Sequence, residues 1–541
     1  MSARRRTGGR ARPATARPAT ARPGAGRAGA GPPGAGRAGA GRVGVATRDV
    51  ARRVRQALAR VPTAAWLCAL VACVNAVSWS LVTPPFQVPD EQAHFAYVEE
   101  LARTQRLPSS STQDYAPDEV LALEELEVGR VSFQPEHGTI ASRAQQRKLA
   151  RDIARAVSAF GSSRGVGAAG DAASEPPLYY ALEAIPYELG AGGGVLDQLA
   201  LMRLLSAVFA GLTALFAFLF VREALPASRV SWTVAGLAVA VMPALGSISG
   251  AVNPEAMLCA VAAALFYCLA RAFRRGLTRR GALAIGALTA VGFLTKLNFL
   301  GLAPGVALGL ALLSGRMGRE AGARHAVRVL APGLALAASP VCVYVAINVL
   351  SHHHTLGFSS GALAATYKRS LAGEASYIWQ LYLPRLPGMG VDFGDISPLR
   401  DLWFRGLVGE YGFEDTFLPR WVDTVAAVAV AAILALAARA AFVRARALAR
   451  RAGELAVYAA MAVGLLVLVG ASSYLSFPAE AAGFPEPRYV LPLVALLAAA
   501  LALAVRGAGR RWGAAAGALI VVLFIAHDVF SQLQVIARYY G

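Results

Sequence analysis

Two carboxylates and an imidazole, Asp90, Glu91 and His94, fall close together in the stretch TPPFQVPDEQAHFAY at residues 83–97. A carboxylate placed beside a substrate hydroxyl can take its proton, which is the work of a general base in group transfer. Pro84, Pro85 and Pro89 keep the preceding backbone out of a helix, and Asp90 and Glu91 then open one. Asp90 and His94 stand four apart and Glu91 and His94 three apart, so all three side chains can share a helical face. Acids at a helix start are also favoured by the dipole alone, with no chemistry attached.

Other ionisable groups stand at the edges of apolar runs, where burial without a partner is costly. Glu255 follows Asn253-Pro254 at the start of one run, and Lys296 closes another in GFLTKLNFL. Arg488-Tyr489 opens a third in FPEPRYVLPL. Lys296 can simply snorkel to an interface, but a cation near an acidic site can also hold a phosphate. A basic helix start such as Arg488 runs against the dipole preference, which favours a functional use. Tyr179 and Tyr180 follow a Pro-Pro stop in EPPLYYALEAIPYEL and suit a membrane interface. His352, His353 and His354 are consecutive and cannot point one way on regular structure. In the external segment that follows, Glu410, Glu414 and Asp415 can either face the first loop or serve structure alone. No Walker A motif, Rossmann fingerprint, HExxH helix or nucleophile elbow appears.

The elements that must carry these groups are membrane helices. The chain has 541 residues, 56% of them hydrophobic and only 16% charged. Its apolar runs approach or exceed the roughly 20 residues that cross about 30 Å of hydrocarbon. They are continuous, not alternating, which excludes a β-barrel. The expected fold class is an all-α polytopic membrane protein with about eleven transmembrane helices. The first runs from Ala64 to Val82. The others fall near 199–221, 231–250, 253–270, 281–297, 299–315, 326–350, 421–443, 454–475, 488–506 and 512–530. The five cysteines all lie in apolar runs, so no disulfide framework is implied.

The formal charge of +20 does not point to nucleic acid, because the arginines gather in the tail and in alternate short connections. That alternation predicts a cytoplasmic N-terminus and an external C-terminus in the cell membrane. Residues 1–61, rich in Arg, Ala, Gly and Pro, cannot bury a core and are expected to be a disordered cytoplasmic tail. Residues 62–541 form the membrane domain. Residues 83–198 are read as a first external loop and 351–420 as a second. The first holds 17 acidic against 9 basic residues, the reverse of the tail.

With the stretch PDEQAHFAYVEELARTQRLP the chain resembles a broad bacterial family of multispanning membrane proteins of unknown function. That family is itself similar to GT-C type glycosyltransferases. The resemblance covers about residues 62–541 and rests on PPFQVPDEQAHF, EPPLYYAL, VNPE, LTKLN, GEYGFEDTFLP and PRYVLPL in this order. The chain departs from it at Glu175-Pro176-Pro177, where His-Pro-Pro is common, and at Pro487, where glycine is common before Arg-Tyr. The resemblance implies transfer of a sugar from a polyprenyl-phosphate carrier to a glycan or other envelope acceptor, outside the cytoplasmic membrane. It implies Asp90 as the base with Glu91 as helper or metal ligand, and Lys296 and Arg488 on the departing phosphate. His94, Tyr179, Tyr180, Glu255 and Tyr489 would complete the substrate site. A divalent cation could assist phosphate departure, although no ligand set is readable. Two other readings are a transporter or flippase of lipid-linked glycans and a non-catalytic scaffold for envelope assembly. The transporter needs ionisable groups near the midplane and broken spans.

Overall fold

The computed structural model describes residues 59–108, 115–132, 134, 136–138, 143–159, 170–226, 228–350, 370–390, 393, 396–413, 415–476 and 485–541. The tail to residue 58, the histidine triplet at 352–354 and Glu414 lie outside the described residues. The chain divides into two units, Met1–Val61 and Pro62–Gly541. Among the described residues every helix and strand belongs to the second.

Helix α1 (Thr63–Val82) is the first apolar helix and ends at the proline-rich stretch. Five helices fill the long connection after it: α2 (Glu91–Thr104), α3 (Pro117–Glu125), α4 (Val128–Val131), α5 (Arg143–Ala159) and α6 (Leu178–Leu189). The sequence reads as one helix over Pro117–Val128, but Glu127 takes a left-handed φ of 50° and splits it. Seven more follow: α7 (Val195–Ala224), α8 (Arg229–Ala240), α9 (Pro243–Ser249), α10 (Pro254–Arg275), α11 (Arg279–Thr295), α12 (Ala303–Ala321) and α13 (Ala323–Leu350). The turn Leu297–Leu302 leads into α12.

After α14 (Leu371–Tyr382), the turn Pro398–Phe404 and short α15 (Arg405–Gly409) lead into a two-stranded hairpin. In it β1 (Glu410–Tyr411) pairs antiparallel with β2 (Thr416–Phe417), Glu410 opposite Phe417. The chain closes with α16 (Arg420–Val443), α17 (Ala445–Ala449), α18 (Ala452–Ser476), the turn Pro487–Leu493, α19 (Val494–Gly507) and α20 (Gly509–Tyr540).

Nine helices among the described residues are long and apolar enough to cross a membrane, and α8 with α9 makes a tenth if one bent span. Helix α11, with 17 residues, packs in the same bundle against α13. The expected class, an all-α polytopic membrane protein, therefore holds, and the count of about eleven is approximate. One expected span, 231–250, is bent by 49° between α8 and α9. Pro243 causes the break: it has no N–H to give and it disfavours helical backbone at Met242.

Helix α10 lies at the centre, buried along most of its length, while α13 and α16 keep most of their apolar surface exposed, as lipid-facing helices do. Helices α11 and α13 meet at two glycines. A Cβ on Gly286 would overlap the Gly333 carbonyl, so this approach needs bare backbone. The arginine-bearing connections meet one another: Arg451 donates to the Ala224 carbonyl (2.6 Å) and Arg506 to that of Leu225 (2.9 Å).

Helix α20 is the largest departure in length, running to Tyr540 instead of stopping near 530. Its polar residues find partners that hydropathy cannot foresee. Asp528 accepts from Trp79 (2.9 Å) and Asn75 (3.2 Å) on α1. Arg538 donates to the carbonyls of Val131 and Gln134 and pairs with Asp415 at 2.8 Å. Through Arg538, Asp415 is tied to the first long connection.

Candidate functional site

The loop between α1 and α2 is strained at two places, Phe86 at φ 59° and Asp90 at φ 64°. A bulky aromatic at positive φ is rare, and such strain persists only where the surroundings over-determine it. Glu91 supplies that determination. It is wholly buried, and its carboxylate accepts four hydrogen bonds. Two come from the Arg203 guanidinium on α7, at 2.7 Å (Nε) and 2.5 Å (Nη2). The others come from the backbone N–H groups of Phe86 (2.9 Å) and Val252 (3.0 Å). Arg203 in turn donates to the carbonyls of Ser80, Thr83 and Pro84.

Asp90 is the residue this arrangement aims. It occupies the N-cap position of α2, yet its carboxylate makes no capping bond to that helix. It reaches instead to Arg488 in the Pro487–Leu493 turn and accepts a bond from Nη2. Arg488 also contacts the Pro89 carbonyl at 3.4 Å and pairs with Glu486. Burial works to raise the Asp90 carboxyl, but Arg488, then His94 and Lys296, holds it below the ordinary carboxylate range. Asp90 is thus ionised, and it is half-exposed where its neighbours are buried.

Lys296 lies between α11 and the turn into α12. Its ammonium pairs with Glu255 at 2.6 Å and with Glu175 at 3.5 Å. Glu255 Oε1 is also 3.9 Å from Arg488 Nε, so one buried carboxylate faces both cations. The Tyr489 ring lies 5.3 Å from the Lys296 ammonium and 5.7 Å from the Arg488 guanidinium, within cation–π range. Burial raises the Glu175 carboxyl above its ordinary range, against the pull of Lys296.

His94 is buried on the inner face of α2, and its Nδ1 is 3.0 Å from the Tyr180 hydroxyl. Burial, with Lys296 nearby, lowers the ring to about 4, so it is neutral near pH 7. Its Nε2 has no hydrogen-bond partner among the described residues. Tyr180 stacks on Tyr97 with centroids 3.7 Å apart. Tyr179 turns the other way, bonding Ser206 of α7 at 2.8 Å.

A family model described as a predicted membrane protein (DUF2142) matches residues 73–497. The chain belongs to this family. The nine residues that the resemblance assigns to the site lie inside the matched segment. No curated protein matches the chain. Four solved chains show similarity, ArnT and AglB among them. ArnT from Cupriavidus metallidurans in the apo state is 13% identical, with a TM-score of 0.40 over 81% of this chain and 59% of that one. Archaeal oligosaccharyltransferase AglB from Archaeoglobus fulgidus, in complex with an inhibitory peptide and a dolichol-phosphate, is 12% identical. Its TM-score is 0.44 over 88% of this chain and 56% of that one. The chain thus spans less than two thirds of the length of either.

The structure therefore gathers Asp90, His94, Tyr180, Glu255, Lys296, Arg488 and Tyr489 around one point, from five separate parts of this family member. Glu91 and Tyr179 face α7 instead. Sequence reasoning missed Glu175, Arg203 and Glu486. Arg203 had a signal, being a lone arginine near the start of an apolar helix. Glu175 had one too, standing where the resembled family commonly has histidine, whereas Glu486 had none beyond standing beside prolines. Among the described residues no three His, Cys, Asp or Glu side chains converge to hold a metal ion. The acids here are each drawn to Lys296 or Arg488, so the donor set does not fit a divalent cation.

Proposed function

We propose that the chain is a glycosyltransferase that moves a sugar from a polyprenyl-phosphate carrier to an envelope acceptor on the outer face of the membrane. The observation that carries this reading is the meeting of Lys296 and Arg488 over one tyrosine ring, beside an ionised and accessible Asp90. Two cations and an aromatic face at the ends of membrane helices suit a lipid-borne phosphate. The resemblance in sequence supports the same class.

Both cations are already compensated by carboxylates, so an arriving phosphate must displace one of them. The half-exposed Asp90 is the one free to leave, since Glu255 is wholly buried. Phosphate on Arg488 would then release Asp90 and cancel the charge that keeps its basicity low. Asp90 takes the proton of the acceptor hydroxyl as that oxygen attacks the anomeric carbon. The bond from that carbon to the phosphate oxygen breaks, and the electron pair leaves with polyprenyl phosphate, stabilised by Lys296 and Arg488. His94, neutral and held by Tyr180, presents Nε2 for a hydrogen bond to substrate. Glu91, which the sequence suggested as helper or metal ligand, is instead assigned as the anchor of the Asp90 loop.

A transporter would use its broken span as an ion or substrate site. The bent pair α8–α9 contains no ionisable side chain after Arg229, which gives that reading no site. Purified protein incubated with a panel of polyprenyl-phosphate sugars and envelope glycans should release polyprenyl phosphate from one donor. Binding of such lipids without release, together with their movement across vesicles, would instead establish the transporter.

A further inference from the structure

A crevice opens beside Arg488, lined by Trp79, Val88, Ser247, Glu410, Tyr411 and Arg488 among others. It lies between the end of α1, helix α9 and the α15–β1 segment. Glu410 is its one carboxyl, and that group makes no hydrogen bond or ion pair among the described residues. Its Oε2 lies against Gly406, where a side chain would strike both Glu410 and the Pro487 ring. Burial disfavours the charged form of this half-buried carboxyl, and no partner among the described residues compensates it.

We propose that this crevice is a hydroxyl-recognising subsite, in which Glu410 binds the ring hydroxyls of the sugar whose phosphate lies on Arg488. This rests on the transferase reading and adds the place of the sugar. The phosphate end is fixed by Arg488, and a sugar ring joined to it must extend into adjoining space, which the crevice supplies. Its wall joins mostly apolar surface to a single carboxyl. That combination suits a neutral polyhydroxylated ring, whereas a second anion would meet Glu410 and a bare hydrocarbon chain would leave it unsatisfied. Burial, with Glu486 nearby and against the pull of Arg405, raises Glu410 to about 7. Near neutral pH it can therefore both donate to and accept from hydroxyls.

The test uses Ser247→Cys as reporter in a full-length, cysteine-free background, labelled by a small impermeant thiosulfonate. Labelling is followed with undecaprenyl phosphate alone and with the same lipid carrying glucose, mannose or galactose. A glycosylated lipid should slow labelling about tenfold, and bare undecaprenyl phosphate should not. Adding Glu410→Ala, which removes every hydrogen-bonding atom of the side chain, should remove that protection while binding of the bare lipid, measured separately, persists. Equal protection by the bare lipid would assign the crevice to the carrier and overturn the proposal. So would protection that survives Glu410→Ala, or none from a glycosylated lipid that demonstrably binds. Failure of every lipid to bind would instead defeat the transferase reading itself.

Discussion

Asp90 and Glu91 are neighbours in sequence with opposite surroundings. Glu91 is buried with four donors on its oxygens, and Asp90 is half-exposed with its carboxylate on Arg488. Removing one partner of a buried, hydrogen-bonded ion pair costs about 3–5 kcal/mol, since it strands the other charge. The Asp90–Arg488 pair has one half-exposed member, and Arg488 keeps a second carboxylate in Glu486, so its loss costs less, toward the about 0–1 kcal/mol of exposed pairs. Glu91→Gln should therefore lower unfolding stability by several kcal/mol, and Asp90→Asn should barely change it, as thermal unfolding of the purified protein in detergent can measure. Equal stability of Glu91→Gln and wild type would remove the anchor role. The sequence showed Asp90, Lys296 and Arg488 as ionisable groups beside apolar runs, which is a local signal. It could not show that Glu91 is claimed by Arg203, because that pairing joins positions 112 apart.

Among the elements, continuous apolar runs were legible because lipid demands length and composition of a helix. The bend between α8 and α9 and the full reach of α20 were not, since both depend on what the helix meets. Helices α11 and α13 give an element-scale prediction. At Gly286 an alanine Cβ would overlap the Gly333 carbonyl, and backbone cannot swing aside as a flexible side chain can. Gly286→Ala should force the helices apart and destabilise by about 1–3 kcal/mol, the range for overpacking. Gly318→Ala, where nothing lies within 4 Å of the added carbon, is the matched control and should be neutral or stabilising. Similar unfolding midpoints for the two variants would show that the α11–α13 contact is looser than described.

At the scale of the molecule, the arginine-bearing connections meet one another, and α20 binds both long connections through Arg538. If the arginine rule sets orientation, the long connections are external and the basic connections cytoplasmic. Glu125→Cys and Arg385→Cys, each in a cysteine-free background, should then react with an impermeant thiol reagent in intact cells. Arg510→Cys should react only after lysis. The reverse pattern would place the site on the cytoplasmic face and remove the envelope acceptor from the account.

The central claim is that Asp90 takes a proton in the chemical step and does not merely begin a helix. Asparagine serves nearly as well as aspartate at a helix start, so Asp90→Asn separates the two roles. The measurement is single-turnover release of polyprenyl phosphate from the donor selected by the panel, with donor affinity determined in parallel. Loss of a general base costs about 10²–10⁴-fold in rate, and Asp90→Asn should fall by that much with donor binding retained. Turnover within a few-fold of wild type would contradict the account.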